Sequence, residues 1–152
     1  MNNVIMLVAL TMFIPGFKQA EESSTTKLKQ ISLKIIKLVN EHRVSQGLPP
    51  LIEDETCSSV ATEHSINMAT GITKFGHKGF DARTEAISIA LSLKKIGENV
   101  AFGQPSPEEV MKSWINSKSH RANIEGDFTH IGVGTAEDSG GTKYFTQIFI
   151  KL

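Results

Sequence analysis

One cysteine, no net charge and no segment long enough to cross a bilayer are the first limits this chain sets. With Cys57 alone, no intramolecular disulfide can close and no cysteine-based metal cluster can form. Sixteen basic residues balance sixteen acidic ones without a block of either sign, so the composition implies no nucleic acid or anionic membrane partner. There is no internal repeat, low-complexity tract or second-domain linker. What remains is a chain of 152 residues, 39% hydrophobic and 21% charged, which suits one globular domain with a true core.

The start of the chain reads differently from the rest. Val4 to Ile14 is almost wholly apolar and is broken by Pro15-Gly16. The run falls short of the roughly 20 residues a membrane-spanning helix needs and suits the core of a secretory signal. Its flanks are imperfect: Met1-Asn2-Asn3 carries no positive charge, and cleavage after Ala20 sets Lys18 where a small residue is preferred. Residues 1–20 are therefore expected to be a signal peptide or hydrophobic N-terminal segment, 21–27 a polar lead, and 28–152 one domain. Export to the medium or the outer cell surface follows, with membrane association through the N-terminal segment as the variant.

Helix and strand signals punctuate the domain. Leu28, Ile31, Ile35, Leu38 and His42 recur at helical spacing, and Gly47 followed by Pro49-Pro50 ends that helix. A second helix is expected from Asp54 to Thr70, with Cys57, Val60, Ala61, His64 and Met68 on one face and Gly71 as its stop. Ile87 to Lys95 reads as a weaker third helix closed by Gly97. Ser106-Pro107-Glu108-Glu109 is a start signal, with Ser106 as cap, Pro107 in the first helical position and Glu109 completing a capping box. That helix presents Val110, Trp114 and Ser117 along one side. After Asn123 the period changes. Phe128 to Ala136 and Tyr144 to Ile150 read as strands of a hairpin, joined by the turn Asp138-Ser139-Gly140-Gly141. Gly132 and Gly134 leave one strand face open to close approach by another element. Helices first and a closing hairpin argue for an α+β domain.

Three separated stretches carry the polar groups of functional interest: Phe75-Gly76-His77, Gly97-Glu98-Asn99, and Trp114 through Asn123. Ligand-type side chains drawn from separate elements point to a site more than to a solvated face. His64, on an apolar helix face, reads as a buried, hydrogen-bonded core histidine. His42 reads as a helix-end or surface residue and His130 as structural or exposed. Cys57 reads as a small core residue, because no neighbouring positive charge is present to activate its thiol.

In order and spacing these motifs resemble the CAP superfamily of cysteine-rich secretory proteins, venom antigens and pathogenesis-related proteins. The residues that carry the likeness are Asn40-Glu41-His42-Arg43 with Gly47 and Leu51, Ala61 with His64 and Met68, the three stretches above, and Ile131-Gly132-Val133-Gly134. His120-Arg121-Ala122-Asn123-Ile124 looks most like the bacterial branch. The resemblance implies a three-layer α-β-α sandwich with a central antiparallel sheet and a polar cleft. Many members hold two His and two Glu in that cleft, sometimes with a divalent metal. His77, Glu98 and His120 match three of the four groups, and Ser117 stands where the second glutamate falls. Asn99, Arg121 and Asn123 are expected to tie loops through backbone hydrogen bonds.

Two imidazoles and one carboxylate make a reasonable first shell for zinc, with a position left for water. Without the second glutamate, metal binding is expected to be weak, no cofactor is required, and a candidate general base is lost. Ser117 acts as a nucleophile only if His77 or His120 takes its proton. Three function classes follow: a monomeric binding or interaction protein with a protein or lipid partner, a lipid or sterol carrier in which Ile87 to Ile96 flanks a groove, and a metal-dependent hydrolase with a degenerate site. The first is preferred, and an enzyme is disfavoured by Ser117.

Overall fold

The computed structural model describes residues 15–152, and side-chain surroundings from residue 22. The apolar run Val4 to Ile14, and with it most of the expected signal segment, lies outside the described residues. Helix α1 spans Pro15–Ser45. It therefore begins well upstream of Leu28, and the stretch expected to be a polar lead is helical. Residues 22–27 are exposed, and burial begins at the apolar stripe of Ile31, Ile35, Ile36 and Val39.

Strand β1 (Ile52–Glu53) is followed by α2 (Glu55–Ala69), α3 (Phe80–Ala90), β2 (Lys95–Phe102), α4 (Pro107–Asn116), α5 (Lys118–Ile124), β3 (His130–Glu137) and β4 (Lys143–Lys151). The sheet order is β1-β3-β4-β2. The three long strands are antiparallel, and two-residue β1 adds a short parallel edge beside β3. Helices cover both faces. On one, Ile35 and Val39 of α1, Val110 and Trp114 of α4 and Ile124 of α5 pack on Val133, Phe145 and Phe149. On the other, Cys57 and Ala61 of α2 and Ile87 of α3 pack on Ile148 and Ile150. This is the α-β-α sandwich expected from the motifs.

Local signals explain most of the elements. Asp54 caps α2 by accepting from the Cys57 amide, and Ser106 caps α4 by accepting from the Glu109 amide. Gly132 and Gly134 sit where α2 crosses β3. A Cβ on Gly134 would lie 2.1 Å from the Thr62 nitrogen, and one on Gly132 would lie 2.3 Å from the Cys57 carbonyl carbon. Only bare backbone allows that approach.

Two expectations need correction. The third helix is Phe80–Ala90, not Ile87 to Lys95, and Gly97 lies inside strand β2 instead of closing a helix. The space at Gly97 is tight: a Cβ there would stand 3.0 Å from Asn123 Oδ1 and 3.1 Å from the Phe128 ring. Ser117 does not lie on the side of a helix. It is the extended residue (φ −92°, ψ 121°) that ends α4 and precedes α5.

Candidate functional site

Strand β2 is the sheet edge opposite β1, and the site is built around it. Its side chains alternate between faces, so Glu98 and Phe102 point to the α2 side while Asn99 points to the α5 side. Two carbonyls of this edge are covered by side chains. Asn123 Nδ2 donates to the Glu98 carbonyl at 3.1 Å, and Trp114 Nε1 donates to the Val100 carbonyl at 3.2 Å. Side chains thus blunt an edge that would otherwise pair with another strand.

Glu98 is the centre of the polar cluster. Its side chain is 2% exposed, yet both oxygens have partners. Arg83 Nε donates to Oε2 and Arg83 Nη2 to Oε1, each at 2.7 Å, and His77 Nδ1 donates to Oε1 at 2.8 Å. Arg83 comes from the first turns of α3. Its Nη1 donates to the Lys78 carbonyl (3.0 Å) and to His64 Nδ1 (3.1 Å). Since a guanidinium only donates, His64 Nδ1 must accept, which leaves Nε2–H to donate to the Gly76 carbonyl at 2.9 Å. By the same logic His77 donates through Nδ1, from a ring that is half exposed. Burial pushes the His64 pKa down, against the raising effect of the Gly76 hydrogen bond, and the Arg83 charge adds to it as a lesser cause.

His77 and Glu98 are in direct contact. His120 lies on α5, close enough that the His77 charge is a secondary cause, after burial, of its lowered pKa. Its carbonyl accepts from Asn99 Nδ2 at 3.0 Å. Ser117 Oγ contacts Ser119 Oγ at 3.2 Å and has no histidine partner, so the proton acceptor a nucleophilic serine needs is missing. Asn99 and Asn123 link β2 to α5, and Arg121 links α5 to α4. Asn123 Nδ2 also donates to Asn99 Oδ1 (2.9 Å), Asn99 Nδ2 to Gln147 Oε1 (3.1 Å), and Arg121 Nη1 to the Ile115 carbonyl (2.9 Å).

The expected zinc first shell is not assembled. Among the described residues no three His, Cys, Asp or Glu side chains are placed to hold a metal ion. Arg83 already sets a positive charge on both oxygens of Glu98. The residues as arranged do not fit a resident divalent cation.

Sequence reading missed Arg83 and the aromatic rim. A buried strand carboxylate demands a cation, and Arg83, six residues after His77, was the signal available. Beside the cluster, Phe75 and Phe102 are 46% and 48% exposed, with ring centroids 4.6 Å apart. Tyr144 stacks on Phe102 at 5.7 Å. On the far side of Arg83, between α2 and α3, lies a cavity of about 260 Å³ lined by residues including Val60, Asn67, Thr73 and Ala86. In the stretch Ile87 to Ile96, Ile87 is fully buried, Leu91, Leu93 and Ile96 are partly buried against the core, and Ile89 is exposed.

Among known proteins, a model of the cysteine-rich secretory protein family, CAP, matches residues 36–149. The chain is 41% identical over 143 residues to the uncharacterized protein YkwD of Bacillus subtilis, covering 86% of this chain and 53% of that protein. It is 32% identical over 139 residues to the uncharacterized membrane protein YlbC of the same species, covering 88% of this chain and 38% of that protein. The chain thus spans about half or less of the length of these relatives. Among solved structures, an extracellular protein with an SCP domain from Bacillus anthracis superposes with a TM-score of 0.72 at 29% identity, covering 84% of this chain and 43% of that one. An outer surface protein of Borrelia burgdorferi, at 24% identity, shares the fold with a TM-score of 0.69 and covers 81% of this chain and 93% of that one.

Proposed function

The chain belongs to the cysteine-rich secretory protein (CAP) family, and from that premise we propose that it is an exported or surface-associated binding protein, not an enzyme, whose partner is a protein. The observation that carries this reading is the half-exposed ring pair of Phe75 and Phe102 next to His77. Rigid aromatic side chains flanked by polar groups are the usual anchors of protein interfaces. The neighbouring cleft supplies hydrogen-bonding specificity through the His77 ring, while its carboxylate is fully engaged and so has no role as a general base. The extracellular and outer-surface relatives support export. Among the described residues no helix is long and apolar enough to cross a membrane.

A lipid carrier would need an apolar channel. The cavity of about 260 Å³ is smaller than ordinary ligand pockets and is rimmed by Glu63, Lys78 and Arg83. The test compares wild type with a Phe75→Ala, Phe102→Ala double variant as bait against proteins of the extracellular and cell-surface fractions. The expected result is a partner retained by wild type and lost by the variant at unchanged melting temperature. Stoichiometric lipid in a mass-spectrometric extract of the purified protein, with no partner captured, would instead favour the carrier.

A further inference from the structure

We propose that Arg83 is the built-in cation of this cleft: its guanidinium takes the place a divalent metal would take against Glu98, and the site accepts a metal only when Arg83 is removed. The geometry is that of a locked pair. Parallel donors from Nε and Nη2 meet Oε2 and Oε1 at 2.7 Å each, the planar fork that arginine offers a carboxylate. The remaining guanidinium nitrogen, Nη1, is held by the Lys78 carbonyl and His64 Nδ1, so the group has no free rotation away from Glu98. With the carboxylate side chain 2% exposed and the arginine 12%, little solvent screens the charge. A second cation beside Glu98 would meet an immobile positive neighbour, and His77 Nδ1 is already spent on the same carboxylate.

His64 has a role in this arrangement that a core histidine does not need. Its Nδ1 accepts from Arg83 while its Nε2–H is anchored on the Gly76 carbonyl, in the same loop that carries His77. One arginine therefore ties α2, the His77 loop and β2 together. A metal ion bridging His77 and Glu98 would join only two of the three. The inference concerns what the cleft excludes and does not depend on the identity of the partner.

Zinc alone is the probe. Calorimetric titration of the full chain should show no saturable site in wild type. Arg83→Met should show a saturable zinc site that wild type lacks, and His77→Ala added to Arg83→Met should abolish it. In parallel, the imidazole resonances of His77 and His120 should stay unmoved by zinc in wild type. A saturable zinc shift of both rings in wild type would overturn the proposal, as would equal zinc affinity in wild type and a folded Arg83→Met. Should Arg83→Met fail to fold, the wild-type resonances alone decide between the two outcomes.

Discussion

Arg83 holds Glu98 by both carboxylate oxygens, Nε to Oε2 and Nη2 to Oε1, each at 2.7 Å. A pair this buried is weak evidence of net stabilisation, because both ions gave up water to form it, but breaking it from one side strands a charge. Glu98→Gln and Arg83→Met should therefore each destabilise the fold by about 3 kcal/mol. The double variant should lose less than the sum of the two, since neither charge is then left alone. Urea unfolding of the four proteins measures this coupling, and strict additivity would mean that the two groups act independently.

His64 links the same cluster to pH. Burial first, and the Arg83 charge as a lesser cause, keeps its folded pKa below the usual 6.5, and burial does the same for His120. The unfolded chain thus takes up protons at these positions before the folded one does. Stability should be full above pH of about 6.5 and should fall as pH drops through that value toward the lowered folded pKa values. Protonation of His64 Nδ1 also removes the acceptor for Arg83 Nη1. Unfolding midpoints in urea at pH 7.5 and 5.0 test the sign, and His64→Gln should shrink the difference while His120 keeps part of it.

Much of the sandwich was legible because its signals are local. The caps at Asp54 and Ser106, the hairpin around Asp138 to Gly141 and the small-residue stripe of β3 each follow from a few neighbouring residues. Strand β2 was not legible. Ile96, Val100 and Ala101 give no clean alternation around Glu98 and Asn99, and the polar pair is satisfied by Arg83, His77, His120, Asn123 and Gln147 from distant elements. For the same reason the family resemblance grouped His77, Glu98 and His120 but gave no hint of Arg83, which takes both oxygens of Glu98. Tertiary pairing decides such positions, and local sequence does not record it.

Cys57 is fully buried on α2 against β3, and burial pushes its thiol pKa far up. The thiolate is the reactive form, so native protein should resist thiol reagents and become labelled only on unfolding. Cys57→Ser buries a hydroxyl in an apolar cluster and should cost about 1–3 kcal/mol. Labelling with a chromogenic disulfide, with and without denaturant, checks the first point. A native rate equal to that of a free peptide cysteine would contradict the packing.

The α2–β3 contact makes a sharper stability prediction. Ala at position 134 would place a methyl 2.1 Å from the Thr62 nitrogen and 2.2 Å from the Ala61 carbonyl carbon, both backbone atoms of a helix that cannot yield singly. Gly134→Ala should destabilise by about 3 kcal/mol or more. At Gly97 the nearest atoms belong to the Asn123 and Phe128 side chains, so Gly97→Ala should cost less. Thermal unfolding of the two variants ranks them, and the reverse order would mean that α2 shifts more readily than its neighbours allow.

Asn123 gives the last prediction, because a single amide there serves two acceptors. Its Nδ2 donates to the Glu98 carbonyl at 3.1 Å and to Asn99 Oδ1 at 2.9 Å, and Asn99 in turn donates to the His120 carbonyl. Asn123→Ala removes both donations and leaves two acceptors unpaired, at a cost of about 1–3 kcal/mol. Asn123→Asp keeps the shape but replaces the donor with an acceptor facing two acceptors. It should therefore destabilise more than alanine does, although it is the closer substitution in size. The local consequence should appear at the edge of β2, whose Glu98 carbonyl loses its side-chain cover, and at His120, whose carbonyl depends on the same asparagine pair. Hydrogen exchange at β2 amides, and the chemical shift of the His120 ring in each variant, read these effects separately from global stability. Equal stability of the alanine and aspartate variants, with the His120 ring unmoved, would show that the asparagine pair does not hold this side of the cleft.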